Sequence, residues 1–248
     1  MKTVSLINRK GGVAKTATAH ALGAGLLRKG YSVLYVDLDS QTNLSAGLQA
    51  KPTAYSSMDV LTRRTTAQEA IQHTPQGDII AASENLASAD ITITGTGKEY
   101  RLREALEGLQ YDFVVIDTPA ALGTLTVNAL TAADSAIIPV QADIDSLQAI
   151  VQLSDTIETV RKYCNRDLSI AGILLTRYSG RAILSRDMQS NIEEAASLLN
   201  TKLYSTPIRE CISVKEAKAC KQDIFSYAPR SNAAKDYAAF IDEFLETV

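Results

Sequence analysis

Apolar residues fall into short continuous runs separated by longer stretches of helical period, and the two alternate along most of the chain. The runs at 3–8, 32–37, 78–82, 112–117, 135–140 and 169–176 read as strands. The segments 15–29, 98–109, 122–132, 145–162, 185–199 and 231–246 space their apolar side chains by three and four and read as helices. Runs such as Phe113-Val114-Val115-Ile116 lack polar alternation, which suits parallel strands covered on both faces. The alternation predicts an α/β fold: a doubly wound, mostly parallel sheet with helices on both faces and a ligand at the carboxyl ends of its strands. Residues 49–76 break the rhythm. Lys51-Pro52 and the cluster from Thr62 to Thr66 suggest short helices in an excursion rather than a second domain, so residues 1–248 are expected to form a single domain.

Between the first strand and the first helix stands Asn8-Arg9-Lys10-Gly11-Gly12-Val13-Ala14-Lys15-Thr16. A glycine-rich turn opening a helix presents backbone N–H groups and the positive end of the helix dipole, which together make a phosphate cradle. Lys15 is placed to reach the terminal phosphates and the Thr16 hydroxyl to hold Mg²⁺. The usual spacing G-x-x-x-x-G-K-[ST] would put glycine at positions 9 and 14, where this chain has Arg9 and Ala14. A left-handed backbone at position 14 would cost an alanine ~1 kcal/mol. After the second strand comes Val36-Asp37-Leu38-Asp39-Ser40-Gln41-Thr42-Asn43, whose two carboxylates, at i and i+2, face the same way. A third apolar strand ends at Asp117 and continues Thr118-Pro119-Ala120-Ala121-Leu122-Gly123.

This set resembles the deviant Walker A loop, Walker A′ and Walker B segments of the ParA/MinD family of P-loop ATPases. The resemblance implies that ATP and Mg²⁺ are bound by Lys10, Gly11, Gly12, Val13, Ala14, Lys15, Thr16 and Ala17. Lys10 would be the signature lysine that reaches the partner's ATP across a sandwich homodimer, and Lys15 the lysine acting in cis. Asp39 would orient or activate the attacking water, Asp37 would lie close to the Mg²⁺ shell, and Asp117 would bind Mg²⁺ through water. The loop after Asp117 keeps the family's first proline and final Leu-Gly but lacks its second proline and serine, which bears on how the γ-phosphate is sensed. Ile138-Pro139-Val140-Gln141 resembles the family's segment after the next strand, and Pro207 and Arg209 fall in the region that closes over adenine.

Charge separates the branches of such a family. Net charge is −3, yet residues 161–235 hold 13 Lys/Arg against 7 Asp/Glu, whereas residues 1–160 hold 12 against 17. A basic segment in an acidic protein points to an anionic partner. By resemblance, Arg177, Arg181, Lys215, Lys218 and Lys221 would grip DNA through its phosphates without sequence preference. The final stretch, Phe240-Ile241-Asp242-Glu243-Phe244-Leu245-Glu246, is acidic, which disfavours docking on anionic lipid. No cysteine precedes Cys164, so no iron–sulfur cluster can be built in the first half, and the tyrosines are scattered rather than gathered in a C-terminal cluster. The first strand begins at residue 3, as in short partition ATPases that lack a helix-turn-helix domain. No apolar run approaches the ~20 residues that span a bilayer, no signal peptide precedes the first strand, and three cysteines without metal spacing suit a reducing cytoplasm. His20, inside the first helix, reads as structural. The expectation is a cytoplasmic, nucleoid-associated ParA-like ATPase, dimeric when ATP-bound, acting with a ParB-like partner and no membrane. A nucleotide-dependent switch for a non-DNA protein cargo is the rival, and a membrane-bound MinD-like protein the third reading.

Overall fold

Hydrogen bonding joins seven strands in one sheet: β1 (Lys2–Leu6), β2 (Val33–Asp37), β3 (Ile71–Thr74), β4 (Gly77–Ile80), β5 (Phe113–Asp117), β6 (Ser135–Val140) and β7 (Ser169–Leu175). Their order is β3-β4-β2-β5-β1-β6-β7, parallel throughout except for the antiparallel β3–β4 hairpin at one edge. The computed structural model describes residues 1–51, 55–179 and 183–247. The connecting helices are α1 (Lys15–Arg28), α2 (Asn43–Gly47), α3 (Ser57–Leu61), α4 (Ala67–Ala70), α5 (Ala89–Thr92), α6 (Arg101–Leu106), α7 (Thr124–Ala132), α8 (Ile144–Tyr163), α9 (Ile183–Leu198), α10 (Ile212–Ala219), α11 (Ile224–Tyr227) and α12 (Asn232–Leu245). This is the doubly wound α/β fold that the strand–helix rhythm predicts.

Strand alternation divides the core. Val4, Leu6, Tyr35, Val115 and Ile137 face α1 and α12, where Leu22, Leu26, Phe240 and Phe244 cover them. On the opposite face, Leu34, Val36, Val114 and Ile116 pack against Leu102, Leu106, Leu125 and Ala129 of α6 and α7. Ile138, Val140, Ile173 and Leu175 complete that face beneath α8 and α9. Covering both faces locks the register, because a one-residue slip would turn every strand side chain into the wrong layer. The apolar stripe of α12 (Ala233, Tyr237, Phe240, Ile241, Phe244) is wholly taken up in this packing.

All six expected strands are present, and the departures are local. The expected helix 98–109 is a single tight turn at Lys98–Tyr100 followed by α6, which stops at Leu106. Gly108, at φ +83, supplies the left-handed residue that ends it. The 49–76 excursion contains the expected short helices α3 and α4, but Ile71–Thr74 near its end forms β3. Pro75-Gln76 closes that hairpin, with the Thr74 hydroxyl donating to Gly77 O at 2.7 Å and accepting from Gln76 N–H at 3.1 Å.

The approach of α1 to β2 depends on Gly23. A Cβ there would overlap the ring of Tyr35, which is fully buried and has no room to retreat. Gly23→Ala should therefore lose about 2 kcal/mol of stability through overpacking, despite the better helix propensity of alanine. Urea unfolding measures this, and an unchanged or raised midpoint would contradict the packing described.

Candidate active site

Parallel register brings the ends of the central strands together. Asp37 of β2 lies opposite Asp117 of β5, Asp117 lies opposite Leu6 of β1, and residues 8–14 continue from β1 over that edge. Asn8 pins the start of the loop: its side chain donates to Pro139 O at 2.7 Å and accepts from Lys10 N–H at 2.8 Å. The Gln141 amide donates to Gly12 O at 2.9 Å and the Thr176 hydroxyl to Val13 O at 3.0 Å. Gly12 sits at φ +78, and a Cβ on it or on Gly11 would meet nothing within 4 Å, so the cradle is open on that side. Ala14 adopts φ 63, ψ 28, the left-handed geometry anticipated as costly for alanine, and its carbonyl accepts from Thr18 N–H at 2.9 Å to begin α1. Lys15 is buried and folds back on the loop, donating to Asn8 O at 2.9 Å and Lys10 O at 3.4 Å. Burial pulls its ammonium below the usual lysine range, while Asp117 and Asp39 work the other way.

The three carboxylates differ sharply. Asp37 is fully buried but satisfied: Ser45 donates its N–H (2.9 Å) and hydroxyl (2.7 Å), and Asp39 its N–H (3.0 Å). Burial still lifts its carboxyl to about 6, against those hydrogen bonds. These three hydrogen bonds make Asp37 the anchor of α2. Asp117 is equally buried and has no hydrogen-bond partner on either oxygen. Burial, then the charge of Asp37, raises it to about 8; the Thr16 hydroxyl and Lys15 favour the ionised form without supplying a full hydrogen bond. A desolvated carboxylate without a partner is a demand for a cation. Thr16 and Asp117 offer hard oxygen donors of the kind Mg²⁺ takes. Among the described residues no group of three or more His, Cys, Asp or Glu could cage a metal. Asp39 is half-exposed and lines the opening, with Oδ1 accepting from Gln41 N–H at 3.0 Å.

These groups border a cleft of about 590 Å³ that runs from Gly11, Lys15, Thr16 and Asp39 to an inner end formed by Leu44, Gly47, Val214, Ala217, Ile224 and Tyr237. Of the two residues assigned to the adenine side, Arg209 lines this cleft but Pro207 does not; Ile208 stands there instead. Arg209 is held flat by Asp236 in a two-point pair, Nε to Oδ2 at 2.9 Å and Nη2 to Oδ1 at 2.6 Å. Ala17, Ala14 and Gly12 line the cleft, whereas Val13 is buried beneath it.

Residues 1–170 match the family model described as an AAA domain. The chain is 38% identical to the sporulation initiation inhibitor protein Soj of Bacillus subtilis over 95% of each chain. It is 34% identical to the chromosome partitioning protein ParA of Caulobacter vibrioides, covering 99% of this chain and 94% of that protein. The chain belongs to the ParA/Soj family of ATPases. Its fold overlays at a TM-score of 0.85 on a Mycobacterium smegmatis structure described as cobyrinic acid a,c-diamide synthase with bound ADP and magnesium, 32% identical and covering 99% of this chain and 94% of that one.

For a ParA/Soj ATPase the position of Lys10 is informative. Its ammonium lies on Asp143 at 2.6 Å and within 3.6 Å of Asp145, inside its own chain, while Arg9 bonds Gln152 farther along α8. Asp143 also caps α8, accepting from Ser146 N–H at 2.9 Å. Three of the basic residues assigned to DNA also border the cleft. Arg177, Lys215 and Lys218 are exposed and also line the cleft, and Glu210 lies 3.0 Å from Arg177 and 4.0 Å from Lys215. Lys221 is exposed, and Arg181 lies outside the described residues. Beyond Asp117, the Thr118 hydroxyl donates to Leu6 O at 2.7 Å, and Asp90 accepts from Thr124 N–H at 2.7 Å where α7 begins. The sequence reading missed His20 and Tyr237 as cleft residues and Asp90 as a support, since each gains its place only through long-range packing.

Two substitutions test this electrostatic and backbone account. Ala14→Gly should stabilise the ligand-free protein by about 1 kcal/mol in urea unfolding by relieving the left-handed alanine; a loss of stability would contradict that strain. Asp117→Asn should raise the unfolding midpoint of the ligand-free protein, by on the order of 2 kcal/mol, because it removes an unpaired buried carboxyl. The same variant should lose the extra thermal stabilisation that Mg²⁺ adds to ATP; retention of that increment would remove Asp117 from the metal site.

Proposed function

We propose that this chain is a ParA-type partition ATPase whose ATP-bound homodimer binds DNA without sequence preference and is released by hydrolysis under the influence of a ParB-like partner. The observation that carries the reading is the phosphate loop with Lys10 beside it, in a chain similar over nearly its whole length to proteins named for chromosome partitioning. ATP occupies the cleft with its phosphates on residues 10–17, and residues 1–248 act as one ATPase domain in the cytoplasm, on the nucleoid.

Thr16 and Asp117 would hold Mg²⁺, which when bound supplies charge neutralisation to the phosphates. Lys15, drawn from the carbonyls of Asn8 and Lys10, carries positive charge to the transferred phosphoryl group, and Lys10 adds a second charge from the facing protomer. Asp39, half-exposed with one oxygen committed to Gln41 N–H, holds the attacking water. No stronger base lines the phosphate end of the cleft among the described residues, so intrinsic turnover is slow and partner-dependent. Arg177, Lys215, Lys218 and Lys221 contribute the cationic surface, and their place at the cleft supports a link between nucleotide state and DNA affinity.

Non-specific DNA binding by the purified protein with ATP, with ADP and without nucleotide, at two salt concentrations, tests the proposal. Retention that requires ATP and falls steeply with salt is expected. Tight ATP binding without DNA retention would overturn the partition reading in favour of a switch that acts on protein cargo. Asp39→Ala should leave ATP-dependent DNA binding in place while lowering turnover at least tenfold, so that the complex persists; rapid hydrolysis by this variant would remove Asp39 from its role.

A further inference from the structure

His20 reaches the inner end of the cleft. It stands four residues after Thr16 on α1, about 6 Å farther along the same helix face, and lines the cleft beside Ala21, Leu44 and Gly47. Most of that end is aliphatic, so a polar atom there decides more than it would in an open site.

The protonation of its ring is fixed by Gln76. The Gln76 side-chain amide donates to two carbonyls, Gly47 O at 2.9 Å and Lys221 O at 3.0 Å. Two carbonyl acceptors leave the amide one orientation, with Nε2 toward them and Oε1 toward His20 Nε2, 3.2 Å away. An acceptor facing Nε2 requires the proton there. Burial lowers the His20 pKa against the opposing influence of Asp223 and Gln76, so the ring is neutral at physiological pH. Asp223 itself is engaged in capping α11, accepting from Phe225 N–H at 2.8 Å and Ser226 N–H at 2.9 Å. Nδ1 is left as a lone-pair acceptor without a hydrogen-bond partner among the described residues. Tyr35 stands edge-on to the imidazole, ring centres 6.4 Å apart, which restrains its plane. Nδ1 faces Gly47, where a Cβ would sit 3.5 Å from it in ordinary van der Waals contact.

We propose that His20 Nδ1 selects the nucleobase, accepting a hydrogen bond from the exocyclic 6-amino group of adenine and rejecting guanine, whose 6-oxo group would set acceptor against acceptor. The proposal rests on the reading of this cleft as a nucleoside triphosphate site. A site built to pair with a donor discriminates against ligands that lack one, because its own acceptor is then left unpaired in an apolar wall. Gln76 is the positioning residue, since it holds the tautomer.

Calorimetric binding of ATP, of GTP and of purine riboside triphosphate, in which hydrogen replaces the 6-amino group, tests this on the intact protein with Mg²⁺. The wild-type protein should bind ATP about tenfold more tightly than the purine analogue and favour it still more over GTP. In His20→Leu the ATP-to-purine ratio should fall to near one, and in Gln76→Leu, which leaves the imidazole but frees its tautomer, it should fall part of the way. Equal binding of ATP and the purine analogue by the wild-type protein would overturn the proposal without any variant, as would a tenfold ratio that survives His20→Leu. Failure of all three nucleotides to bind the wild-type protein would instead overturn the nucleotide reading of the cleft.

Discussion

Asp37 and Asp117 are paired across β2 and β5, so parallel register sets two carboxyl groups next to each other in the interior. Packing on both faces of the sheet prevents the strands from slipping to separate them. The structure resolves the conflict unequally. Ser45 and the Asp39 amide satisfy Asp37, which becomes the anchor for α2, whereas Asp117 is given no donor at all. The unmet demand at Asp117 is what makes this edge of the sheet a site. Lys15 is the nearest remedy, but its ammonium is turned to backbone carbonyls of its own loop. The protein thus holds a lysine turned to backbone carbonyls and a buried carboxyl without a donor, and on the proposed reading bound phosphate and metal would relieve both.

The loop above them is strained for a related reason. A left-handed alanine persists only where the surroundings over-determine it. Here three side-chain hydrogen bonds to distant parts of the chain (Asn8 to Pro139 O, Gln141 to Gly12 O, Thr176 to Val13 O) tie the loop to β6 and the end of β7. Against three such bonds, worth roughly 1 kcal/mol each, a penalty near ~1 kcal/mol is tolerable. The rigidity is useful, because backbone N–H groups stabilise developing charge only when they need no rearrangement to face it.

Local placement was legible in the sequence wherever one short segment carries it. Gly11 to Thr16, Asp39 and Asp117 lie where their flanking strands and helix place them, and the strain at Ala14 followed from its residue type. What the sequence hid depends on distant partners. The two hydrogen bonds that Asp37 accepts from Ser45, eight residues on, could not be read from the segment around it. Pro207 gave way to Ile208 at the cleft because the segment joins β7 through the Ile208 N–H, which donates to Leu175 O at 2.8 Å. The β3 hairpin was missed because an edge strand of four residues shows too little alternation to stand out from a polar excursion. Lys215 and Lys218, which by resemblance would grip DNA, stand on a helix that also walls the cleft.

Lys10 connects these points to the proposed dimer. Its pairing with Asp143 involves side chains about a quarter and a third exposed, so solvent screening leaves the contact worth about 0–1 kcal/mol. Such a contact orders a lysine without trapping it. A triphosphate on a facing protomer would offer more negative charge than one carboxylate, so the proposed dimer would favour exchange of partner once nucleotide is present. Asp143 does not then become an orphan, because the Ser146 N–H still caps it and water still reaches it. On the proposed reading, the asymmetry between a replaceable lysine partner and an irreplaceable Asp117 partner makes nucleotide, rather than protein–protein contact alone, the condition for dimerisation.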